Sequence, residues 1–165
     1  MQLLDELRRL SRGALAEMRT LLLELRPAAL ADTSLGDLLR QLAEAVAGWR
    51  GVPVAVRVEA GDTLPPDAHL VLYRIAQEAL NNWVKHASAG QVQVSLRPAD
   101  GKAAVELCIR DDGRGFDLSN VPPDHLGLGI MRERADAIGA RLDIQSEPGN
   151  GTQVKVVWQP EPGSG

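Results

Sequence analysis

The sequence has few of the residues that build disulfides or membrane spans. Cys108 is the single cysteine in 165 residues, so no internal disulfide can form, which suits a reducing compartment. No run of about 18 apolar residues and no signal-peptide pattern is present. We therefore expect a cytoplasmic location and no membrane contact by this stretch, while a parent protein could still be membrane-attached.

Aromatic residues and positive charge are also scarce. The sequence has five aromatic residues, three Trp, one Tyr and one Phe, and a formal net charge of -4. It therefore lacks the basic field and the stacking surfaces that nucleic acids need, and nucleic acid is not a predicted partner. With 44% hydrophobic and 24% charged residues the composition is that of an ordinary soluble protein. The length allows one domain with a real core.

Residues 1–27 form a segment of their own. Apolar residues recur at intervals of three and four from Leu3 to Leu25, which predicts an amphipathic helix that ends at Pro27. The apolar stripe is wider than a coiled-coil seam, which favours a helix from a bundle. The alternative is that this helix packs on its own domain. A homodimer is predicted through the apolar positions Leu4, Leu7, Met18, Leu21 and Leu25.

Residues 28–160 carry a mixture of helical and strand patterns. Helices are predicted from about Leu35 to Trp49, with Thr33 or Ser34 as cap, from Pro66 to about Lys85, and from Gly127 or Gly129 to near Gly139. Strands are predicted over residues 52–58, 91–97, 103–110, 141–145 and 152–158. Because these elements lack a regular βαβ rhythm, an α+β fold, a two-layer α/β sandwich, is favoured over a doubly wound sheet. Residues 161–165 are expected to be a disordered tail.

The helix predicted from Pro66 to about Lys85 carries a polar stripe. Arg74, Glu78, Asn82 and Lys85 follow one another at about one turn, and we expect this stripe to face away from the core. An asparagine is a poor helix former but a good oxygen ligand for a hard cation. A lysine one turn further on can meet a phosphate as a point charge. The alternative is an ordinary solvated helix face.

Two glycine-containing turns predict a pocket for a purine and phosphates. Asp111 ends an apolar strand and precedes Gly113 and Gly115, so its carboxylate can accept from an exocyclic amine while the glycine backbone stays close to a ring. The turn at residues 127–129 precedes a helix and offers free amides to phosphate oxygens. Neither a Walker loop nor a full dinucleotide fingerprint is present.

Taken in this order, the motifs resemble the histidine-kinase and gyrase-type ATPase superfamily, specifically the catalytic domain of two-component sensor histidine kinases. Residues 77–87 are similar to its N box, 111–115 to its G1 box, 127–131 to its G2 box and 149–152 to its closing glycine-threonine turn. Residues 72–78, with Lys85 and His86, resemble the subfamily whose kinases pair with helix-turn-helix response regulators. The resemblance covers nearly the whole chain before the tail.

The resemblance implies an enzyme that transfers the γ-phosphoryl group of Mg-ATP to a histidine on a dimerisation helix, for signalling to a response regulator with a helix-turn-helix output. ATP and Mg²⁺ are the implied cofactors. Glu78 is the candidate base or water-positioning group, Asn82 the magnesium ligand, and Asp111 the contact to the adenine amine. The implied nucleotide-binding residues are Asn82, Lys85, His86, Asp111, Gly113, Gly115, Gly127, Leu128, Gly129 and Thr152. Thr152 would support the adenine contact through water, and the residues between Phe116 and Leu126 would form a short ATP lid.

By the same resemblance, residues 1–27 are the second helix of the dimerisation and phosphoacceptor hairpin. The histidine-bearing first helix is absent from this sequence, so self-phosphorylation is not expected. His69 is predicted to be a helix-surface residue and His125 a lid residue. Trp83 stands where the family usually has a small residue, and it either fills a core gap or crowds the pocket.

Two other functions remain as alternatives. One is an ATP-dependent serine kinase that regulates a sigma factor, although the long amphipathic first helix argues against it. The other is a nucleotide-blind scaffold that dimerises through the helix from Leu4 to Leu25, for which Trp83 is the main argument.

Overall fold

The computed structural model of the chain describes residues 32–86, 88–100, 103–121 and 126–161. It also describes seven residues near the N-terminus, all helical: Leu3, Leu4, Glu6, Leu7, Arg8, Ser11 and Met18. The predicted homodimer contacts Leu4, Leu7 and Met18 are exposed to solvent. Leu21 and Leu25, the lid residue His125 and the last four residues of the predicted tail lie outside the described residues.

The described part after residue 32 contains three α-helices and five strands. The helices are α1 (Leu35–Arg50), α2 (Pro66–His86) and α3 (Leu126–Ala137). The strands are β1 (Val54–Val58), β2 (Val92–Pro98), β3 (Val105–Asp111), β4 (Arg141–Ser146) and β5 (Thr152–Trp158). Within these described residues no helix is both long enough and apolar enough to cross a membrane.

The strands form one mixed sheet in the order β1-β2-β3-β5-β4. β1 and β2 are parallel, and α2 makes the connection between them, as a parallel pair requires. The other three pairs are antiparallel. In this register Asp111, the last residue of β3, lies opposite Thr152, the first residue of β5. The ends of the two central strands therefore bring these two polar residues together.

The core lies between one face of the sheet and the three helices. In β3 the residues Val105, Leu107 and Ile109 are buried, whereas their neighbours Glu106, Cys108 and Arg110 are not. This alternation is what a sheet covered on one face produces. The predicted α+β two-layer sandwich is confirmed, and Cys108 is the strand residue that its pattern indicated.

Several element boundaries differ from the predictions by one to three residues, whereas β5 has the predicted bounds. Ser34 is the cap of α1, since its Oγ accepts from the Asp37 N–H at 3.1 Å. β1 begins at Val54 rather than residue 52. α3 begins at Leu126 rather than at either glycine. The segment between Phe116 and Leu126, expected to be a short lid, contains a short 3₁₀ turn, Leu118–Asn120, whose cap is Asp117.

The prediction that His69 is a helix-surface residue is wrong. His69 is only 7% exposed, and burial lowers the pKa of its imidazole. Counted along α2, His69 lies three and seven residues before the buried Leu72 and Ala76, which puts all three on one helix face. Its position on the apolar stripe, rather than its polarity, decides where it lies.

The expected orientation of the polar stripe is also wrong for most of its length. Arg74, Glu78 and Asn82 are half-buried, and only Lys85 is exposed to solvent. α3 packs beside α2, and the Glu78 carboxylate reaches the first turn of α3 at Gly127. Asn82 lines a cavity rather than facing bulk water.

Candidate functional site

A cavity of about 260 Å³ lies between α2, α3 and the ends of β3 and β5. This volume is just below the range of about 300–1,000 Å³ usual for ligand pockets. Most of its wall is apolar, with a few polar groups converging on it. The lining residues are Ala79, Asn82, Trp83, His86, Ile109, Asp111, Arg114, Gly115, Phe116, Leu128, Met131, Thr152 and Val154. Asp111 and Asn82, which the sequence places 29 positions apart, therefore share one hollow.

Asp111 is held at one end of the cavity by backbone hydrogen bonds. Its Oδ1 accepts from the Gly113 N–H at 2.8 Å. Burial raises the pKa of the Asp111 carboxyl and the negative charge of Asp112 adds to this, while hydrogen bonds from the backbone N–H groups of Gly113 and Thr152 act in the opposite direction. A carboxylate whose charge is disfavoured by burial gains most from a ligand that donates a hydrogen bond to it.

The two glycine turns beside Asp111 pack directly on each other. Gly115 has a φ of +59°, and a Cβ there would overlap the backbone oxygen of Glu147. Gly151 has a φ of +72°, and a Cβ there would overlap the backbone oxygen of Asp111. Glycine is thus required at both positions by conformation and by space. Gly115 also lines the cavity, so its small size serves the contact between the turns as well as the wall.

Ser146, which no sequence motif singles out, connects these turns to Thr152 in the cavity wall. The residue ends β4 and is 9% exposed. Its Oγ lies within 3.0 Å of the Phe116 N–H donor, the Gly151 carbonyl and the Thr152 hydroxyl. The available signal was weak, because a serine at a strand end usually indicates only a turn.

At the other end of the cavity, α2 supplies Asn82 and α3 supplies its first turn. A Cβ at Gly127 would overlap Oε1 of Glu78, so the missing side chain lets the Glu78 carboxylate reach the start of α3. Leu128 is buried in the cavity wall. Gly129 is exposed, and a Cβ there would meet no described atom within 4 Å.

The structure brings together only part of the predicted site residues. Those that line the cavity are Asn82, His86, Asp111, Gly115, Leu128 and Thr152. Glu78, Lys85, Gly113, Gly127 and Gly129 lie around it without lining it. Arg114 and the apolar wall residues Ile109, Met131 and Val154 line the cavity but were not predicted as site residues. Arg114 lies inside the motif at residues 111–115, and this position in the sequence could have indicated that it is a site residue.

Trp83 belongs both to the core and to the cavity wall. The side chain is 3% exposed and packs within the core cluster, and it also lines the cavity. The predicted choice between filling a core gap and crowding the pocket is therefore not exclusive. A cavity remains beside the indole ring.

The chain belongs to the family of histidine kinase-, DNA gyrase B-, and HSP90-like ATPases, whose pattern matches residues 67–162. This match covers α2 through β5, and so includes every described wall of the cavity. The resemblance proposed from the sequence motifs is confirmed.

Sensor kinases are among the similar proteins. The signal transduction histidine-protein kinase/phosphatase DegS of Brevibacillus brevis is 31% identical over 152 residues, which cover 92% of this chain and 39% of that protein. Sensor protein VraS of Staphylococcus aureus (strain COL) is 39% identical over 141 residues, which cover 85% of this chain and 40% of that protein. The chain thus spans about two fifths of the length of these relatives.

A solved histidine kinase domain has a similar fold. The histidine kinase domain of the blue-light activated histidine kinase EL346 from Erythrobacter litoralis superposes with a TM-score of 0.59 at 27% sequence identity. The superposition covers 76% of this chain and 64% of that one.

Proposed function

We propose that this chain is the ATP-binding catalytic part of a sensor histidine kinase and that its cavity holds Mg-ATP. The observation that carries this proposal is the single cavity lined by both Asp111 and Asn82, in a member of an ATPase family. In the parent protein the γ-phosphoryl group goes to a histidine on a dimerisation helix. A response regulator with a helix-turn-helix output then receives it. The cytoplasmic location stays a prediction from the sequence.

The purine occupies the end of the cavity near β3 and β5. There the carboxylate of Asp111 accepts a hydrogen bond from the adenine amine, and Thr152 lies opposite Asp111 in the sheet register. The apolar side chains of Ile109, Met131 and Val154 line the same cavity. They supply the dispersion contacts that a flat ring needs, while the polar groups set its orientation.

Asn82 fits the role of a magnesium ligand. In the described part of the chain no group of three or more His, Cys, Asp or Glu residues could hold a metal ion. Mg²⁺ bound to a nucleotide needs no such group, because phosphates and water supply most of its oxygen ligands. One amide oxygen in the cavity wall is therefore enough. When bound, the metal would neutralise charge on the phosphates.

The phosphates are expected at the start of α3, where free amides and the helix dipole favour anions. The open space at Gly129 leaves room for a phosphate oxygen, and Lys85 and His86 at the end of α2 add donors on the other side. Phosphoryl transfer depends mainly on positioning and electrostatics. Glu78 lies at the same helix start, where its carboxylate can accept a proton from, or orient, the attacking histidine.

The transfer experiment supplies the acceptor separately. Labelled ATP and magnesium are mixed with the protein and with a histidine-bearing hairpin from a kinase of the same family. We expect acid-labile label on the hairpin. Glu78→Gln should slow the transfer by about 100-fold or more, the usual contribution of a general base, with ATP affinity retained. Glu133→Gln, at an exposed position of α3, is the matched control and should keep full transfer.

Three results would contradict the proposal. Label on a serine of a sigma-factor antagonist, with none on the hairpin, would support the alternative serine kinase. Failure to bind ATP would support a nucleotide-blind scaffold. Equal rates of transfer by wild type and Glu78→Gln would show that Glu78 is not the general base.

A further inference from the structure

The side of the sheet that faces away from the helices is open to solvent. In each strand the residues on this side alternate with residues that pack towards the core, and none of them is buried. Ile109 and Val154 line the nucleotide cavity from the helix side. Cys108, Arg110 and Lys155 occupy the alternate positions of the same strands, so they point to the opposite side. We call this opposite side the outer face of the sheet.

Positive charge is concentrated on the outer face. The face carries five cations and two carboxylates, although the whole chain has 18 Lys and Arg residues against 22 Asp and Glu residues. The cations are Arg57, Arg97, Arg110, Arg141 and Lys155, and the carboxylates are Glu106 and Asp143. The outer face is therefore basic, whereas the remainder of the chain is acidic.

Most of this positive charge is not neutralised by a neighbouring residue. Arg97 is the exception, because Oε1 of Glu106 accepts from its Nε at 2.8 Å and lies 2.7 Å from its Nη2. No salt bridge joins Arg110, Arg141 or Lys155 to another residue of the described part of the chain. These three cations are available to carboxylates that a partner brings.

A polar hollow of about 560 Å³ opens at one corner of the outer face. It lies at the end of the sheet opposite the nucleotide cavity, and its lining includes Arg97, Glu106, Arg141 and Val157. Because Glu106 already engages Arg97, the guanidinium of Arg141 is the one that a new anion in the hollow can meet. A side chain of a docked protein can enter such a hollow, whereas a flat surface cannot.

We propose that the outer face is a docking surface for a protein partner with an acidic surface, whose carboxylates meet Arg110, Lys155 and Arg141. Complementary charge is the property that this face selects for. Glu106 and Asp143 lie directly opposite cations in the sheet register, and they would repel the uniformly negative surface of a membrane or a nucleic acid. Two copies of this basic face would repel each other as well. The inference does not depend on the proposed ATP site, because the outer face lies on the other side of the sheet.

The test uses a fluorescently labelled synthetic peptide of alternating glutamate and glycine, with the glutamine peptide as its uncharged counterpart. Binding is measured by fluorescence anisotropy at low ionic strength, where surface charges are least screened. We expect the glutamate peptide to bind wild type and the glutamine peptide not to bind. Arg110→Glu and Lys155→Glu should each weaken binding about fivefold or more, because each replaces an attraction with a repulsion.

Arg40→Glu is the matched control. It makes the same change in net charge at an exposed position of α1, on the helix side of the sheet, and should leave peptide affinity within about twofold of wild type. Amide resonances of wild type give a second measurement that needs no variant. The peptide should shift the resonances of outer-face residues in β2, β3 and β5, and leave those of α1 unchanged.

Three results would overturn the proposal. The first is no binding of the glutamate peptide to wild type. The second is equal weakening by Arg40→Glu and Arg110→Glu, which would show that only net charge matters. The third is binding to vesicles of phosphatidylserine and phosphatidylcholine that Arg110→Glu abolishes, without binding of the peptide, which would make the face a membrane contact. Failure of wild type to bind ATP would contradict the proposed function and leave the peptide result to decide this inference.

Discussion

The two ends of the cavity are built in different ways. Near Asp111 the walls are fixed by hydrogen bonds between described residues: the Gly113 N–H donates to Asp111, and the Ser146 hydroxyl bonds to Phe116, Gly151 and Thr152. At the other end, near the start of α3, Gly129 and Lys85, which are both expected to lie near the phosphates, are exposed. The purine end is therefore preorganised by the protein, whereas the phosphate end presents groups that a ligand has to complete.

This difference predicts which changes damage the fold and which damage only the chemistry. A substitution at the purine end disturbs bonds that exist without ligand, so stability and affinity should change together. A substitution at the phosphate end touches few existing contacts, so affinity or transfer should change while stability stays constant. Preorganised groups lower the cost of binding because they need no further ordering.

The largest effect is expected for Gly151→Ala. A Cβ at Gly151 would overlap the backbone oxygen of Asp111 and lie 3.1 Å from Cα of Asp112. Overpacking against backbone and the left-handed φ of +72° should together lower the free energy of unfolding by about 3 kcal/mol. Gly149→Ala is the matched control, since Gly149 has a φ of +85° but no described atom within 4 Å of its Cβ position. It should cost only about 1 kcal/mol.

Denaturant titration of the two variants measures this contrast. Equal destabilisation by Gly149→Ala and Gly151→Ala would mean that the packing of the turn on Asp111 contributes nothing. That result would contradict the statement that the end of the cavity near Asp111 is preorganised.

The next effect concerns Asp111→Asn. The amide keeps an oxygen for the Gly113 N–H but loses the charge and half of the acceptor capacity, so ATP affinity should fall about 10- to 100-fold, the value of a charge-assisted hydrogen bond. Asp112→Asn is the control. Asp112 Oδ1 accepts from the backbone N–H groups of Gly90 and Gln91 at 2.9 Å each, and it does not line the cavity. Calorimetry that finds equal ATP affinity in the two variants would contradict the role of Asp111.

At the phosphate end, Gly127→Ala and Gly129→Ala form a matched pair within α3. Through helix propensity alone, both substitutions should stabilise α3 by about 1 kcal/mol. Only a Cβ at Gly127 meets Glu78. Because the Glu78 carboxylate is the end of a flexible side chain, it should move aside rather than unfold the helix. We expect Gly127→Ala to slow phosphoryl transfer to a supplied hairpin about tenfold or more, with stability retained. Gly129→Ala should have a smaller effect on transfer, and the reverse order would contradict the placement of Glu78.

The smallest effect is a pH dependence that has opposite signs for stability and for binding. Because burial raises the pKa of Asp111, the folded state favours the protonated acid. Its contribution to stability is present below the unfolded pKa and is lost as pH rises through the folded pKa. Affinity needs the ionised form, so it should be lost as pH falls through that raised pKa.

Adenosine is the suitable ligand for this measurement, because it carries no titrating phosphate. Its affinity should decrease on acidification in wild type over a range above the ordinary pKa of an aspartate. The dependence should be absent in Asp111→Asn. A wild-type profile identical to that of the variant would show that Asp111 does not receive the ligand's hydrogen bond.

Much of this molecule could be predicted from residue patterns, and the failures have physical causes. The strand of Val105 to Asp111 and the glycine turn before Thr152 are local features with strong patterns, and both were predicted close to their observed bounds. His69 and the polar stripe of α2 failed because their environment depends on neighbouring elements, which periodicity along one helix does not reveal. Ser146 was missed because its role depends on three hydrogen-bond partners that only the folded structure brings to its hydroxyl.

The central claim is that one cavity joins a purine contact at Asp111 to a metal contact at Asn82. A calorimetric titration of wild type and Asn82→Ala with ATP, with and without magnesium, tests it most directly. We expect wild type to bind one ATP per chain with an affinity that magnesium increases, and Asn82→Ala to bind ATP with little effect of magnesium. No binding to wild type, or the same magnesium dependence in both proteins, would contradict the claim.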